Sequence, residues 1–287
     1  MEQIDKIKLL LEEINKEFEK LKKQNVEQKP EEKPEEKPEE KSAALLIGIN
    51  YVGTSHSLNG CINDAKQTKK MLKDHYNLEE KDIMMLTDDG KKPTVKNILN
   101  GFKWLLEKNK KGYHSLWLHY SGHGYYIRDK NSDERDGKDE CIIPLDYRNG
   151  IISDDLIHAR LVKQLSKETK LMAFMDCCHS GTILDLKYKY IDGKKSKIEN
   201  KSNIKAKVVA ISGCKDNQQS DDVTFNNGNA GGAMSMHLFA ILSENNYKIT
   251  YHKLLKELLK RLKKNDHTQI PQMTSSYEIS EDLGFFD

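Results

Sequence analysis

The segment Lys170-Leu-Met-Ala-Phe-Met-Asp-Cys-Cys-His-Ser-Gly181 decides the fold. Its apolar run, Leu171 to Met175, stops abruptly at Asp176-Cys177-Cys178-His179-Ser180-Gly181, as a buried strand does when it feeds a tight polar loop. In α/β sheets chemistry sits at the carboxyl ends of strands, and this end carries thiols. Ser115-Leu-Trp-Leu-His-Tyr120 is built the same way and runs into Ser121-Gly122-His123-Gly124. One strand end presents a cysteine and the other a histidine, the two groups that together make a thiolate nucleophile. Such a nucleophile also needs donors for a tetrahedral oxyanion, and the amides of Cys178 and Gly124 are the candidates. Gly122 and Gly124 leave the backbone beside His123 bare, so that a substrate can approach it closely.

Strands and helices alternate on either side of these segments. Apolar runs and breakers predict strands at 43–49, 82–86, 115–120, near 141–144, at 171–175 and at 207–212. Helices are predicted at 62–75, 93–109 (opened by Pro93, with Thr94 in the first turn), 154–164, 230–244 and 251–264. This alternation implies an α/β domain with a mostly parallel central sheet flanked by helices on both faces. The Lys-rich stretch 187–206 lacks periodicity and reads as a surface loop, dividing the domain into 43–186 and 207–287. Ahead of the domain, Ile4, Ile7, Leu11, Ile14, Phe18 and Leu21 alternate steps of three and four. Residues 1–28 therefore read as an amphipathic helix. It is either the seam of a short coiled coil, marginal without a partner or self-association, or a solvated, frayed helix. Residues 29–42 repeat Lys-Pro-Glu-Glu without one apolar side chain, the composition of an extended linker.

Bulk composition excludes several classes. At 37% hydrophobic and 32% charged residues with net charge +2, the chain has no global pull toward nucleic acid or a membrane surface. No apolar stretch approaches the ~18–20 residues of a membrane helix. Charge from the second residue argues against a secretory signal, and five cysteines without framework spacing point to a reducing, cytoplasmic setting. Cys177-Cys178-His179 and the pair His119 and His123 suggest a transition metal, but successive residues leaving a strand point opposite ways. The vicinal thiols suggest redox chemistry, yet Cys-x-x-Cys spacing is absent. Residues 129–140 resemble a calcium-binding loop, but Glu134 stands where the sharp turn needs Gly and a strand precedes it.

Five motifs in order resemble the metacaspases: Ala44-Leu-Leu-Ile-Gly-Ile-Asn-Tyr51, Leu58-Asn-Gly-Cys-Ile-Asn-Asp-Ala65, His119-Tyr-Ser-Gly-His-Gly124, Asp136-Gly-Lys-Asp-Glu140 and Asp176-Cys-Cys-His-Ser-Gly-Thr182. Gly231-Gly-Ala-Met234 and Gln269-Ile-Pro-Gln272 extend the resemblance toward the C-terminus. It implies a caspase-like fold and a cysteine endopeptidase, calcium-dependent, that cleaves proteins or peptides after Arg or Lys. His123 falls on the family's catalytic histidine and Cys178 on its nucleophile, while Cys177 stands where serine is frequent. The S1 positions fall on Cys61, Asp64, Ser121 and Asp176. Carboxylates there would favour a guanidinium or ammonium and repel an acidic P1 residue. Taken alone, Asp64 reads as a first-turn helix charge and Asp176 as a loop cap.

The resemblance also implies a Ca²⁺ site built from Asp139, Asp154, Asp155 and Asp185, hard oxygen ligands for a hard cation. Lys187, Lys189, Lys194, Lys195, Lys197, Lys201 and Lys205 offer sites for self-cleavage, or simply solubility. The N-terminal region has neither a zinc finger nor a Pro/Gln-rich segment. Rival readings are a catalytically weak scaffold assembled through residues 4–21, and a paracaspase- or legumain-type relative.

Overall fold

The structure, a computed structural model, describes residues 11–20, 41–129, 137–178, 180–192, 194–197, 203–213, 222–224 and 230–286. The chain divides into two compact units, Met1–Glu40 and Lys41–Asp287. In the first, residues 11–20 form helix α1, with Leu11, Ile14 and Phe18 54%, 58% and 58% exposed. Ile4, Ile7, Leu21 and the repeat over 29–40 lie outside the described residues.

The second unit is built on one large sheet. Its strands are β1 (Ser42–Gly48), β2 (Ile83–Thr87), β3 (Ser115–Ser121), β7 (Lys170–Asp176), β8 (Tyr188–Ile191), β9 (Lys194–Lys197), β10 (Lys207–Ser212) and β13 (Gln272–Ser275), in the order β2-β1-β3-β7-β10-β13-β8-β9. The first five are mutually parallel; β13 pairs antiparallel with β10 and β8. Alternate residues of each central strand feed two cores. Leu45, Ile47, Leu118, Tyr120, Ala173 and Met175 face α3 (Val95–Lys110) and α4 (Asp154–Arg160). Leu46, Trp117, Phe174 and Ile211 face α2 (Cys61–His75), α5 (Ala233–Glu244) and α6 (Tyr251–Lys264). With both faces covered the strands read as unbroken apolar runs, and each fully buried side chain stabilises by about 1.5–3 kcal/mol. Thr94, Ser153 and Thr250 cap α3, α4 and α6 by accepting the amides of Asn97, Leu156 and Lys253.

A second, antiparallel sheet of β4 (Gly124–Arg128), β5 (Lys138–Ile142) and β6 (Ile152–Ser153) begins immediately after His123. β11 (Asp222–Thr224) and β12 (Ala230–Gly232) form a short ribbon before α5. Three expectations need correction. The 187–206 segment is not all loop: Tyr188 and Tyr190 alternate with lysines, and the pairing of β13 with β8 turns Tyr190 into the core. Helix α5 starts at Ala233 rather than 230, because Ala230–Gly232 are committed to the ribbon. Helix α4 ends at Arg160, where Leu161 turns to φ −132° before a 3-10 turn over Val162–Gln164.

Candidate active site

The two chemistry-bearing strand ends are neighbours. β3 and β7 pair in parallel with Ser121 opposite Asp176, and Ser121 also lies opposite Gly48 of β1. Beyond that level the chain continues into Gly122-His123-Gly124 on one side and Cys177-Cys178 on the other. The Gly122 amide donates to the Asp176 carbonyl (3.3 Å), tying the two loops together. A β-carbon added to Gly124 would lie 1.9 Å from the Cys178 carbonyl oxygen. The glycine is therefore demanded by close packing of the two loops, where the sequence had suggested substrate access. Cys178 is half-buried, as is His123, whereas Cys177 is 1% exposed within the core on the α3 side. The adjacent thiols thus point into different environments, as neighbours leaving a strand should. Cys61, Cys141, Cys177 and Cys178 are all outside disulfides.

The His123 Nε2 lies 2.7 Å from the backbone oxygen of His56. A carbonyl only accepts, so Nε2 carries the proton and Nδ1 is left as the basic nitrogen. Gly124 opposes Ile142, and the Ile143 amide donates to the His123 carbonyl at 3.2 Å. That pattern makes Gly124–Ile142 a non-hydrogen-bonded pair, so the Gly124 N–H faces away from β5 and is not spent on the ladder.

Next to these strand ends lies a pair of carboxylates. Asp64, in the first turn of α2, is 1% exposed and Asp176 is 4% exposed. Asp64 Oδ2 accepts from Ser121 Oγ (2.8 Å) and from the Gly232 amide (2.9 Å), while Asp176 Oδ2 accepts from the Ser235 amide (2.8 Å) at the start of α5. Cys61 opens α2 one turn before Asp64 and is buried. Asp64 is indeed a first-turn helix charge, and Asp176 does cap a backbone end. Burial of both carboxylates at the head of three strands goes beyond either role.

A second acidic group lies behind the site. One carboxylate oxygen each from Asp154, Asp155 and Asp185 lies within 4.8 Å of the others. Asp154 is buried, and desolvation first, with the Asp139 charge adding, pushes its carboxyl up to about 7. Its Oδ2 accepts the Glu140 amide at 2.7 Å, and Glu140 Oε2 in turn accepts from Thr182 Oγ1 at 2.7 Å. Asp185 takes a left-handed φ of 51° to reach the group. Asp139 is buried on β5, close enough to act on Asp154 but outside the trio of converging oxygens. The donor set, crowded and partly desolvated oxygens only, fits a hard divalent cation such as Ca²⁺.

Comparison with known proteins assigns the chain. The family model for the metacaspase, peptidase C14 domain matches residues 42–187. The chain is 38% identical over 265 residues to Metacaspase-2 of Trypanosoma brucei brucei, covering 84% of this chain and 75% of that protein. It is 36% identical over 295 residues to Metacaspase-1 of Meyerozyma guilliermondii, covering 84% and 71%. This chain is a metacaspase. Its class, a cysteine peptidase, follows with the family. Solved structures similar in fold include a Geobacter sulfurreducens protein (TM-score 0.62, 23% identity, 85% of this chain and 97% of that one) and Caspase-1 of Spodoptera frugiperda (TM-score 0.54, 12% identity, 82% and 86%). The caspase-like fold is thus shared. Among the described residues of this metacaspase, no helix is long and apolar enough to cross a membrane.

Two parts of the metacaspase site were not foreseen from sequence: the His56 carbonyl at His123 and the backbone donors Gly232 and Ser235 at the carboxylates. All act through main-chain atoms, so no residue type marks them.

Proposed function

We propose that this metacaspase is a calcium-activated endopeptidase that cleaves after Arg or Lys. The observation that carries the reading is the placement of two buried carboxylates, Asp64 and Asp176, beside the strand ends that bear His123 and Cys178. A P1 guanidinium or ammonium reaching them regains in charge-assisted hydrogen bonds what it loses in hydration, and an acidic P1 residue meets repulsion.

In the proposed mechanism each of these groups has its own role. His123 Nδ1 takes the Cys178 proton and the thiolate attacks the scissile carbonyl. The Gly124 and Cys178 amides receive the developing oxyanion. His123, held by the His56 carbonyl, then returns the proton to the leaving amine; water attacks the thioester with the same histidine as base, the C–S bond breaks, and the histidine passes its proton to the Cys178 sulfur as the acid product leaves. Asp154, Asp155 and Asp185, with Asp139 behind them, would hold the calcium ion. Its charge would join the start of α4 to the segment that follows the nucleophile. Protein substrates are implied by the class; cytoplasmic location remains part of the proposal.

Hydrolysis of fluorogenic peptides ending in Arg, Lys or Asp, with calcium or a chelator, tests this. Arg and Lys peptides should be cut only with calcium and not by Cys178→Ala. Calcium dependence that survives joint replacement of Asp154 and Asp155 would remove the metal assignment. Self-cleavage between Lys187 and Lys205 is part of the same proposal, and mass spectrometry of calcium-treated protein beside Cys178→Ala checks it. The exposed Leu11, Ile14 and Phe18 stripe on α1 supports a second reading, partner binding or self-association through residues 4–21. Light scattering of the chain with and without residues 1–40 decides that.

A further inference from the structure

The motif Ile49-Asn50-Tyr51 has no part in the chemistry just described, yet the structure ties it to His123 at several points. Asp88, at the end of β2, accepts the amides of Asn50 (3.1 Å) and Val52 (3.1 Å), and between them Tyr51 takes a left-handed φ of 50°. A tyrosine adopts that conformation only when its surroundings impose it. The turn sends the Tyr51 ring against the His123 imidazole, with centroids 4.7 Å apart. Tyr51 Oη accepts the His123 amide (3.0 Å) and donates to the Ile143 carbonyl (2.6 Å). From the other side Tyr120 Oη donates to the His123 carbonyl (2.6 Å) and accepts the Ile143 amide (3.1 Å).

Both peptide groups of His123 are therefore gripped by tyrosine hydroxyls. Burial raises both phenols well above their ordinary range, so each keeps its proton at any working pH. Gly122 completes the arrangement: a β-carbon there would approach Tyr120 Oη to 2.8 Å and Tyr51 Oη to 3.1 Å. The same loop supplies the His56 carbonyl that holds Nε2. Backbone amide, backbone carbonyl, ring face and ring nitrogen of one histidine are all fixed by two hydroxyls and one loop.

We propose that Tyr51 is a positioning residue for the peptidase reaction, acting with Tyr120 to hold the His123 imidazole where it exchanges a proton with Cys178. This rests on the reading of His123 and Cys178 as the catalytic pair. Tyr51 is buried at 1% exposure and acts through the histidine backbone and ring face. Displacement of a catalytic group by about 1 Å lowers rates on the order of 100-fold, and loss of one of several anchors should give part of that.

The test uses the full chain and the variants Y51F, Y120F and H123A, with two readouts. One is the pH dependence of Cys178 alkylation by iodoacetamide, followed by peptide mass mapping; the other is kcat and KM on an Arg peptide with calcium. Y51F should lower kcat about 10- to 100-fold with KM within about twofold. Its alkylation profile should move from the wild-type curve toward that of H123A. A wild-type kcat and alkylation profile in Y51F, whatever its melting temperature, overturns the proposal. If Y51F does not fold, Y120F carries the same test with the same two outcomes. An H123A profile identical to wild type overturns the catalytic pair itself, a failure distinct from that of the tyrosine.

Discussion

Gly124 and Cys178 pack backbone against backbone, so closely that a β-carbon at position 124 would sit 1.9 Å from the Cys178 carbonyl oxygen. No side-chain rotation relieves a clash between main-chain atoms. Gly124→Ala should push the His123 loop away from Cys178 and lower kcat by at least about 100-fold. Circular dichroism should still report a folded α/β domain, since the strain lies beyond the ends of β3 and β7.

Asp64 and Asp176 have separate backbone donors, Gly232 and Ser235. Replacing either by Asn removes the charge and keeps one acceptor oxygen for those amides. Loss of one partner from a buried charge pair costs about 2–5 kcal/mol. The preference for Arg over its uncharged isostere citrulline at P1 should therefore fall about 100-fold in kcat/KM. An unchanged ratio in both variants sinks the specificity assignment.

Calcium should stabilise the folded chain by mass action, by about 2.7 kcal/mol at 100 times its dissociation constant. Asp185→Asn suits the left-handed φ of 51° at that position, because asparagine tolerates this region well. The variant should fold, lose most of the calcium-induced rise in melting temperature, and need more calcium for activity. Differential scanning fluorimetry across a calcium titration measures it.

His119 gives a pH dependence of stability unrelated to catalysis. It lies on β3 between Leu46 and Phe174, fully buried, and its ring nitrogens have no hydrogen-bond partner among the described residues. Burial lowers its pKa from the ordinary 6.5 to about 3. Between those values the unfolded chain binds a proton that the folded chain does not. Stability from this residue is therefore complete above about pH 6.5 and is lost as pH falls toward 3, with a slope of up to about 1.4 kcal/mol per unit. Asp154, raised to about 7, acts with the opposite sign, losing its contribution as pH rises through that value. The difference between wild type and His119→Leu isolates the histidine. Urea melts at pH 5 and 7.5 should show wild type gaining about 1–2 kcal/mol more stability than the variant as pH rises, whatever the sign of the change common to both.

Cys177 and Cys178 should separate cleanly. Cys177→Ala removes one buried sulfur, which should lower stability by about 1 kcal/mol and leave kcat within a few-fold. Cys178→Ala should abolish activity and leave the melting temperature nearly unchanged. Substantial turnover by Cys178→Ala would show that its neighbour attacks in its place.

The parts legible from sequence were those whose residue types carry the signal. Strands β1, β3 and β7 are buried on both faces and read as apolar runs, and α6 has the bounds its leucine spacing implies. The thiol and imidazole stood out because polar residues followed those runs at once. Strand β8 was obscured because lysines outnumber the inward tyrosines Tyr188 and Tyr190 around it. The His56 carbonyl and the Tyr51 hydroxyl were invisible for a different reason. Their roles depend on how the loop after β1 folds, which hangs on Asp88, a residue 38 positions from the Asn50 amide it holds.

The strand order has a consequence for any cut made between Ile191 and Lys205. β8 would stay with the N-terminal fragment and β10 and β13 with the C-terminal one. Yet β10 lies against β7, and β13 is inserted between β10 and β8. The two pieces are interleaved like the fingers of clasped hands, so a nick relaxes the connecting segment without letting either piece leave. Separation would require unzipping at least the β7–β10 and β8–β13 ladders at once. A chain cut there should run as one particle under native conditions and as two only in denaturant.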